Sequence, residues 1–117
     1  MKGPEAVIDR VEHIREAISG LRALFQTTPR GVIEADWMLM RGLERAIEII
    51  SEASRHIPDD LKATEPDVPW RDIAGIGNII RHDYNGVSPV ILFRVVDRDL
   101  DPLDAALTRI LARLPPL

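Results

Sequence analysis

Apolar residues recur along the chain at alternating intervals of three and four positions, which is the spacing of one face of an α-helix. The first stripe contains Val7, Val11, Ile14, Ile18, Leu21 and Phe25. Pro4 lies where a first-turn proline is tolerated, and Pro29 and Gly31 disfavour continuation beyond the stripe. The pattern predicts one long amphipathic helix that ends near residues 26–31.

Two further stripes follow. The second contains Leu39, Leu43, Ala46, Ile50, Ala53 and Ile57, and Pro58 stops it. The segment DDLKATEPDVP, residues 59–69, is polar and predicts a loop. The third stripe contains Trp70, Ile73, Gly77, Ile80 and Tyr84. Asn85 and Gly86 end it, because both residues tolerate left-handed backbone geometry.

The last part of the chain predicts two more helices. Ser88 and Pro89 are typical of an N-cap and a first helical position before VILFRVVDRDL. The β-branched residues there also suit a strand, but the capping pair and the lack of any partner strand favour a helix. A final stripe contains Leu103, Leu107, Ile110 and Leu114. Together, these predicted helices indicate an all-α fold. We expect an antiparallel bundle of four to five helices in one domain spanning residues 1–117.

Composition and charge narrow the function. The chain has 15 basic and 19 acidic residues, which gives a net charge of -4. Proteins that coat nucleic acid nonspecifically are usually basic, so we expect any contact with nucleic acid to be local and brief. No cysteine is present, which excludes disulfides and thiolate metal sites. The first residues carry charges throughout and the longest apolar run is PVILF. We therefore expect no targeting segment, no membrane span and a cytoplasmic location.

The second and third stripes carry more apolar surface than one small bundle needs. Trp37, Met40, Ile47 and Ile49 widen the apolar face of the second stripe, and Trp37, Met38 and Met40 are surplus to the needs of one bundle. Apolar surface left over by folding is commonly covered by a second copy of the same chain. The sequence therefore predicts a homodimer.

Candidate chemistry is concentrated in GIGNIIRHDYNGV, residues 75–87. An imidazole at His82 is suited to general acid–base catalysis near neutral pH, and Arg81 is suited to holding a phosphate. Asn78 precedes His82 by four residues, so its amide lies on the same helical face and is placed to orient the imidazole. Asp83 either does the same or is a solvated acid. The alternative is structural, because basic residues favour a helix C-terminus.

The other histidines give weaker signals. His13 follows Asp9 by four residues, and His56 follows Glu52 and Glu48 in four-residue steps. Metal sites in helical bundles use a Glu-x-x-His spacing on paired helices, which neither place supplies. A charged solvent face is favoured over a metal site, and no cofactor is predicted.

Two segments together resemble the HepT-like proteins of the HEPN superfamily. They are ERAIEIISEASRHIP, residues 44–58, and VPWRDIAGIGNIIRHDYNGVSPVILFRVVDRDLDPL, residues 68–103. The combination of PWRDIAG with a following asparagine and RHDY is a specific signal. The resemblance covers most of the chain.

This resemblance implies a helical bundle, a homodimer and the toxin half of a toxin–antitoxin pair. The cognate antitoxin would be a minimal nucleotidyltransferase encoded beside it. HepT-like toxins are metal-independent ribonucleases with an arginine, four to six residues, a histidine and a tyrosine two positions later. The two copies of the motif meet in a cleft across the dimer, and the nucleotidyltransferase silences the toxin by attaching AMP to the tyrosine.

Most of the family motif is present here. His82 occupies the place of the family histidine, Tyr84 that of the tyrosine and Asn78 that of the asparagine after the arginine, but Gly77 stands where the arginine is expected. Arg81 lies one helical turn later, and helical side chains lean back toward the N-terminus. A long Arg81 side chain is therefore expected to cover the space at Gly77.

Arg71 shares the helical face of His82 but lies ~16 Å away at the helical rise. This separation makes Arg71 a poor substitute for the family arginine within one protomer. Arginine has a better helix propensity than glycine, so α-helical structure should accept an arginine at position 77 unless Gly77 is tightly packed.

The resemblance thus predicts a type VII toxin that cleaves RNA with His82, Arg81 and Asn78, and that is silenced by AMP addition to Tyr84. The alternative is a non-catalytic subunit that binds nucleotide or substrate for a nucleotidyltransferase. Gly77 favours this alternative.

Overall fold

The computed structural model describes residues 3–83 and 85–117 of the chain. Its helices are α1 (Pro4–Thr27), α2 (Arg30–Ala35), α3 (Trp37–Arg55), α4 (Asp59–Lys62), α5 (Trp70–His82), α6 (Pro89–Arg94) and α7 (Leu100–Ala112). A π-helical segment, Val95–Asp99, joins α6 to α7. No β-strand occurs in the described ranges, and the all-α prediction is confirmed.

The central helix is α3, which packs against α1 and α5. The predicted stripe of α1 is buried from Val7 to Leu21, and its last member, Phe25, meets Phe93 edge-on with ring centroids 5.6 Å apart. On α3, Leu43, Ile47 and Ile50 are buried on the side that faces these neighbours. Burial of both stripes in one core confirms the helical phase inferred from the sequence.

Two short helices were not predicted from the sequence. Pro29 precedes α2, whose one buried side chain is Ile33, and Asp36 ends it. Asp36 also begins α3, since its carboxylate accepts a hydrogen bond from the Leu39 amide at 3.0 Å. Pro58 precedes α4, a single helical turn within the predicted polar loop.

The segment between α4 and α5 is less solvent-exposed than its polar composition indicated. Glu65 is buried and pairs with Arg109 of α7, whose Nη2 lies 2.6 Å from Oε1. Trp70 Nε1 donates to the Glu65 carbonyl at 3.0 Å, and Val68 is buried. This segment therefore links α5 to α7. The predicted polar loop is present at residues 63–69, but Glu65 and Val68 within it are buried.

The fourth and last predicted helices are joined rather than separate. Ser88 lies at the N-cap of α6 as predicted, but its side chain makes no capping hydrogen bond. The π-helical segment continues from α6 into α7 without a loop. Pro102 in α7 lacks the N–H that an α-helix would direct at the Arg98 carbonyl. A local change to the wider π pattern is one way for a helix to accommodate such a missing donor.

Surface exposure of the apolar residues only partly follows the sequence prediction. Trp37 and Met38 are 67% and 70% exposed, as expected for surplus apolar residues, whereas Met40 is buried at 6%. Met40 is buried because it precedes Leu43 by three positions and Ile47 by seven, which puts it on the same helical face. Within the described ranges, no helix has both the length and the apolar character needed to cross a bilayer.

Candidate functional site

His82 is the last residue of α5, and its side chain is exposed. Its Nδ1 lies 2.8 Å from the backbone carbonyl oxygen of Asn78. A carbonyl can only accept, so Nδ1 carries the proton and donates it. In the neutral ring Nε2 is then the unprotonated nitrogen. The backbone of α5 thus presents Nε2 as a proton acceptor at the helix end.

Arg81 folds back along α5 toward Gly77. Its Nη1 lies 3.5 Å from the position that a Cβ at Gly77 would occupy. Its Nη2 lies 3.5 Å from Oδ1 of Asn78, at the outer limit of a hydrogen bond. The expectation that the Arg81 side chain covers the space at Gly77 is confirmed. The guanidinium itself is exposed and has no carboxylate within 4 Å in the described ranges.

Asn78 contacts both candidate reagents, but not in the expected way. The sequence predicted that the Asn78 amide orients His82, whereas the backbone carbonyl does so. The amide oxygen instead faces the guanidinium of Arg81. Both contacts follow from helical spacing, since residues three and four positions ahead lie over the same turn.

Gly77 is where α5 comes closest to α3. Ser51 of α3 donates its hydroxyl proton to the Ala74 carbonyl at 2.9 Å and accepts the Gly77 N–H at 3.1 Å. A Cβ at Gly77 would lie 2.6 Å from Ser51 Oγ and 3.0 Å from Ser51 Cβ. Tight packing of Gly77 was the condition under which an arginine would not be accepted, and that condition is met. The missing family arginine therefore coincides with a close helix contact.

The C-terminal end of α3 lies beside α5 at the candidate site. Arg55 donates from Nε and Nη2 to the Ala74 carbonyl at 3.1 and 2.7 Å. The hydrogen bond from His56, 3.2 Å from the carboxylate, lowers the pKa of Glu52, and the positive charges of Arg55 and Arg81 lower it further. Sequence reasoning missed Ser51 and Arg55, whose four-residue spacing on α3 was the available signal.

Two other sequence candidates, Asp83 and His13, lie at exposed positions. Asp83 is exposed and follows α5 as its C-cap, and Tyr84 lies outside the described residues. On the exposed side of α1, Nε2 of His13 lies 3.8 Å from Oδ1 of Asp9. In the described part of the chain, no three His, Asp or Glu side chains converge in a way that could hold a metal ion.

A buried carboxylate positions the chain just beyond the site. Glu44 of α3 accepts the Val87 N–H at 3.2 Å and binds Arg41 through both oxygens, at 2.7 and 3.0 Å. Gly86 has φ +95°, and a Cβ there would lie 3.0 Å from Arg41 Nη2. Glycine at position 86 therefore lets the chain turn sharply against this ion pair before α6 begins.

The fold and the site define an all-α protein with a histidine, an arginine and an asparagine at the end of one helix. A model of the family described as Ribonuclease HepT-like matches residues 14–110. "Probable ribonuclease HepT" of Thermococcus cleftensis is 34% identical over 99 residues, which cover 81% of this chain and 86% of that protein. The chain belongs to the HepT-like ribonuclease family.

Other relatives align over shorter regions. "Putative RNase MJ1380" of Methanocaldococcus jannaschii is 40% identical over 63 residues, covering 54% of this chain and 58% of that protein. "Putative RNase TTE0752" of Caldanaerobacter subterraneus is 31% identical over 78 residues, covering 67% of this chain and 70% of that protein. No solved structure matches the chain at a significant level.

Proposed function

We propose that this protein is a ribonuclease toxin of a type VII HEPN/nucleotidyltransferase toxin–antitoxin system, in which His82 and Arg81 act on one RNA phosphodiester. One observation carries the catalytic part of the proposal. Asn78 contacts both side chains, so that Nε2 of His82 is left as a proton acceptor while the Arg81 guanidinium lies back over Gly77. The family membership of the chain supports RNA as the substrate.

The proposed reaction uses the 2′-hydroxyl of RNA as the nucleophile. His82 Nε2 takes the hydroxyl proton as the 2′-oxygen bonds to the adjacent phosphorus, and the bond from phosphorus to the 5′-oxygen breaks. The leaving 5′-oxygen takes up a proton from water. The products are a 2′,3′-cyclic phosphate and a 5′-hydroxyl, so DNA, which lacks the nucleophile, is not cut.

Arg81 has the second role in this mechanism. Negative charge on the phosphoryl oxygens increases in the transition state, and a guanidinium held close to them stabilises it. The base and the cation both come from the chain, and we propose that cleavage needs no metal ion.

The regulatory part of the proposal concerns Tyr84, two positions after His82. A cognate minimal nucleotidyltransferase is proposed to transfer AMP from ATP to its phenolic oxygen. The added phosphate carries negative charge that repels RNA beside His82. Incubation with the partner enzyme, ATP and Mg²⁺ should add the mass of AMP to wild-type protein and not to Tyr84→Phe. Addition to the variant would show that another residue is the acceptor.

A homodimer is part of the same proposal. Trp37 and Met38 are exposed side by side, and Val32 of α2 is 52% exposed. A second copy covering such apolar surface would bring a second His82 into the assembly.

The test of the catalytic proposal compares matched arginine variants on RNA and on its 2′-deoxy analogue. Loss of one preorganised contact that stabilises transition-state charge typically costs ~10²–10³ in rate. We expect a loss of this size for Arg81→Ala and His82→Ala, partial activity for Arg81→Lys and wild-type activity for Arg10→Ala on α1. Equal cleavage by Arg81→Ala and wild type would assign Arg81 to helix capping alone.

The packing at Gly77 favours a second candidate function. Because the position of the family arginine is filled by a close contact with Ser51, a non-catalytic subunit that binds nucleotide or substrate for the nucleotidyltransferase is the alternative. Expression without the partner decides between them. The ribonuclease proposal expects growth arrest by wild type and none by His82→Ala, whereas the alternative expects no arrest by either.

A further inference from the structure

A groove of about 320 Å³ runs between α5 and the segment formed by α6 and the π-helix. One wall includes Arg71, Gly75 and Ile79 of α5. The opposite wall includes Ile91, Arg94 and Arg98. Each wall thus carries arginine and an exposed isoleucine.

The charge of the groove is positive, although the whole chain carries -4. In the described ranges, Arg71 and Arg94 have no carboxylate within 4 Å. Arg98 pairs with Asp99, 3.3 Å away, and Asp99 is itself buried. Asp72 is the only other acid that lines the groove. Two guanidinium groups therefore remain available for an external anion.

The groove lies on the same side of α5 as the candidate site. Arg71 and His82 are eleven residues apart on α5. Eleven residues make about three helical turns, so both residues lie on nearly the same face, ~16 Å apart along the helix axis. Ile79 lies between them on that face and is 51% exposed. A stacked strand advances ~3.4 Å per nucleotide, so this distance corresponds to roughly five nucleotides.

We propose that this groove binds the single-stranded RNA that extends from the bond cleaved at His82, a proposal that rests on the ribonuclease function. Arg71 and Arg94 contact backbone phosphates, and the apolar side chains of Ile79 and Ile91 contact ribose or base faces. Among the described residues, no atom apart from the neighbouring backbone of α5 lies within 4 Å of a Cβ position at Gly75, so the strand can approach the α5 wall closely. Phosphate contacts position a strand without reading its sequence.

Charge favours RNA over a second copy of the chain as the occupant. The cores of protein interfaces are depleted in charged residues, whereas three arginines line this groove. The exposed apolar pair Trp37 and Met38 lies on α3 and does not line it.

The test separates binding in the groove from chemistry at His82. Arg71→Gln with Arg94→Gln is compared with Arg10→Gln, a matched arginine on α1. Affinity for a 2′-O-methyl octaribonucleotide, which cannot be cleaved, is measured by fluorescence anisotropy at several salt concentrations. We expect a loss of roughly tenfold for each groove arginine and a salt slope smaller by about two, with no change for Arg10→Gln.

Cleavage measurements complete the design. The double variant should lose kcat/KM on a cleavable octamer while retaining kcat at saturating RNA. A ribodinucleotide, too short to reach the groove, should be cleaved at the wild-type rate. Equal losses on the dinucleotide, or equal losses in Arg10→Gln, would overturn the proposal. Conversion of a dimer to a monomer by the double variant would also overturn it and assign the groove to a second copy.

Failure of the ribonuclease function would be visible separately. If wild type cleaves neither substrate, the catalytic proposal fails, and the anisotropy measurement alone decides whether the groove binds an RNA strand.

Discussion

Glycine at position 77 allows a direct hydrogen bond between two helices. The Gly77 N–H reaches Ser51 Oγ at 3.1 Å, and the same hydroxyl donates to the Ala74 carbonyl. Any side chain at position 77 would displace Ser51 from both contacts, because even a Cβ would lie 2.6 Å from its oxygen. The departure from the family motif is therefore accompanied by a specific contact between α3 and α5.

This packing predicts opposite effects for two glycines on the same helix. Gly77→Ala should lower the free energy of unfolding by about 1–3 kcal/mol, because overpacking and the lost Ser51 hydrogen bonds both oppose folding. Gly75→Ala should raise it by up to ~1 kcal/mol, since alanine is the better helix former and no described atom beyond the neighbouring α5 backbone lies within 4 Å of the new Cβ. Denaturant titration of both variants measures the difference. Equal stabilities would contradict the close contact at Gly77.

At the residue scale, the sequence predicted which side chains lie together better than it predicted their bonds. Helical spacing alone put Asn78, Arg81 and His82 over adjacent turns, and the structure agrees. It did not show whether the Asn78 amide or its carbonyl contacts His82, because both lie within one turn of it. Ser51 and Arg55 were missed because contacts between helices depend on how α3 is rotated against α5, which periodicity does not specify.

At the element scale, the long helices were predictable and their short connections were not. The stripes of α1, α3 and α5 each repeat over several turns, so the signal accumulates. In contrast, α2 and α4 are six and four residues long, too short for a period to register. The junction of α6 and α7 was missed because the π-helical segment shifts the phase between two stripes that are each regular.

The segment between α4 and α5 gives a pH-dependent prediction. The hydrogen bond from Arg109 lowers the pKa of Glu65 below its ordinary value, and the charge of Arg113 acts in the same direction. A carboxyl whose pKa is lower in the folded state stabilises the fold above its unfolded pKa, and this contribution is lost as pH falls through the folded value. Glu65→Gln should therefore lower the Tm most at neutral pH.

The comparison of wild type with Glu65→Gln should show a Tm difference that shrinks steadily as the buffer is taken from pH 7 toward pH 3. Glu12→Gln, an exposed acid on α1, serves as the control and should behave like wild type at every pH. A Tm difference that is constant with pH would mean that Glu65 acts by packing rather than by its charge.

At the scale of the whole molecule, the distribution of charge matters more than its total. Acidic residues pair with many of the arginines, for example Asp104 with Arg15 and Arg22. Of the five arginines that have no carboxylate within 4 Å in the described ranges, Arg55, Arg71, Arg81 and Arg94 lie on α5, on α6 or at the end of α3, and only Arg10 lies on α1. An acidic protein can thus present a local positive surface, which net charge alone could not reveal.

The proposed homodimer gives the last prediction. Trp37 and Met38 expose large apolar side chains at the start of α3, where Arg41 lies over the Trp37 ring at 5.3 Å. Burying a charge in an apolar interface is costly, so Met38→Glu should shift sedimentation at micromolar concentration from dimer to monomer. Leu117→Glu, at a residue that is 83% exposed, introduces the same charge and should leave the dimer intact.

If the catalytic cleft is formed by two copies, Met38→Glu should lose RNA cleavage together with the dimer. A monomeric wild type that cleaves RNA would show that one copy of His82 and Arg81 is sufficient.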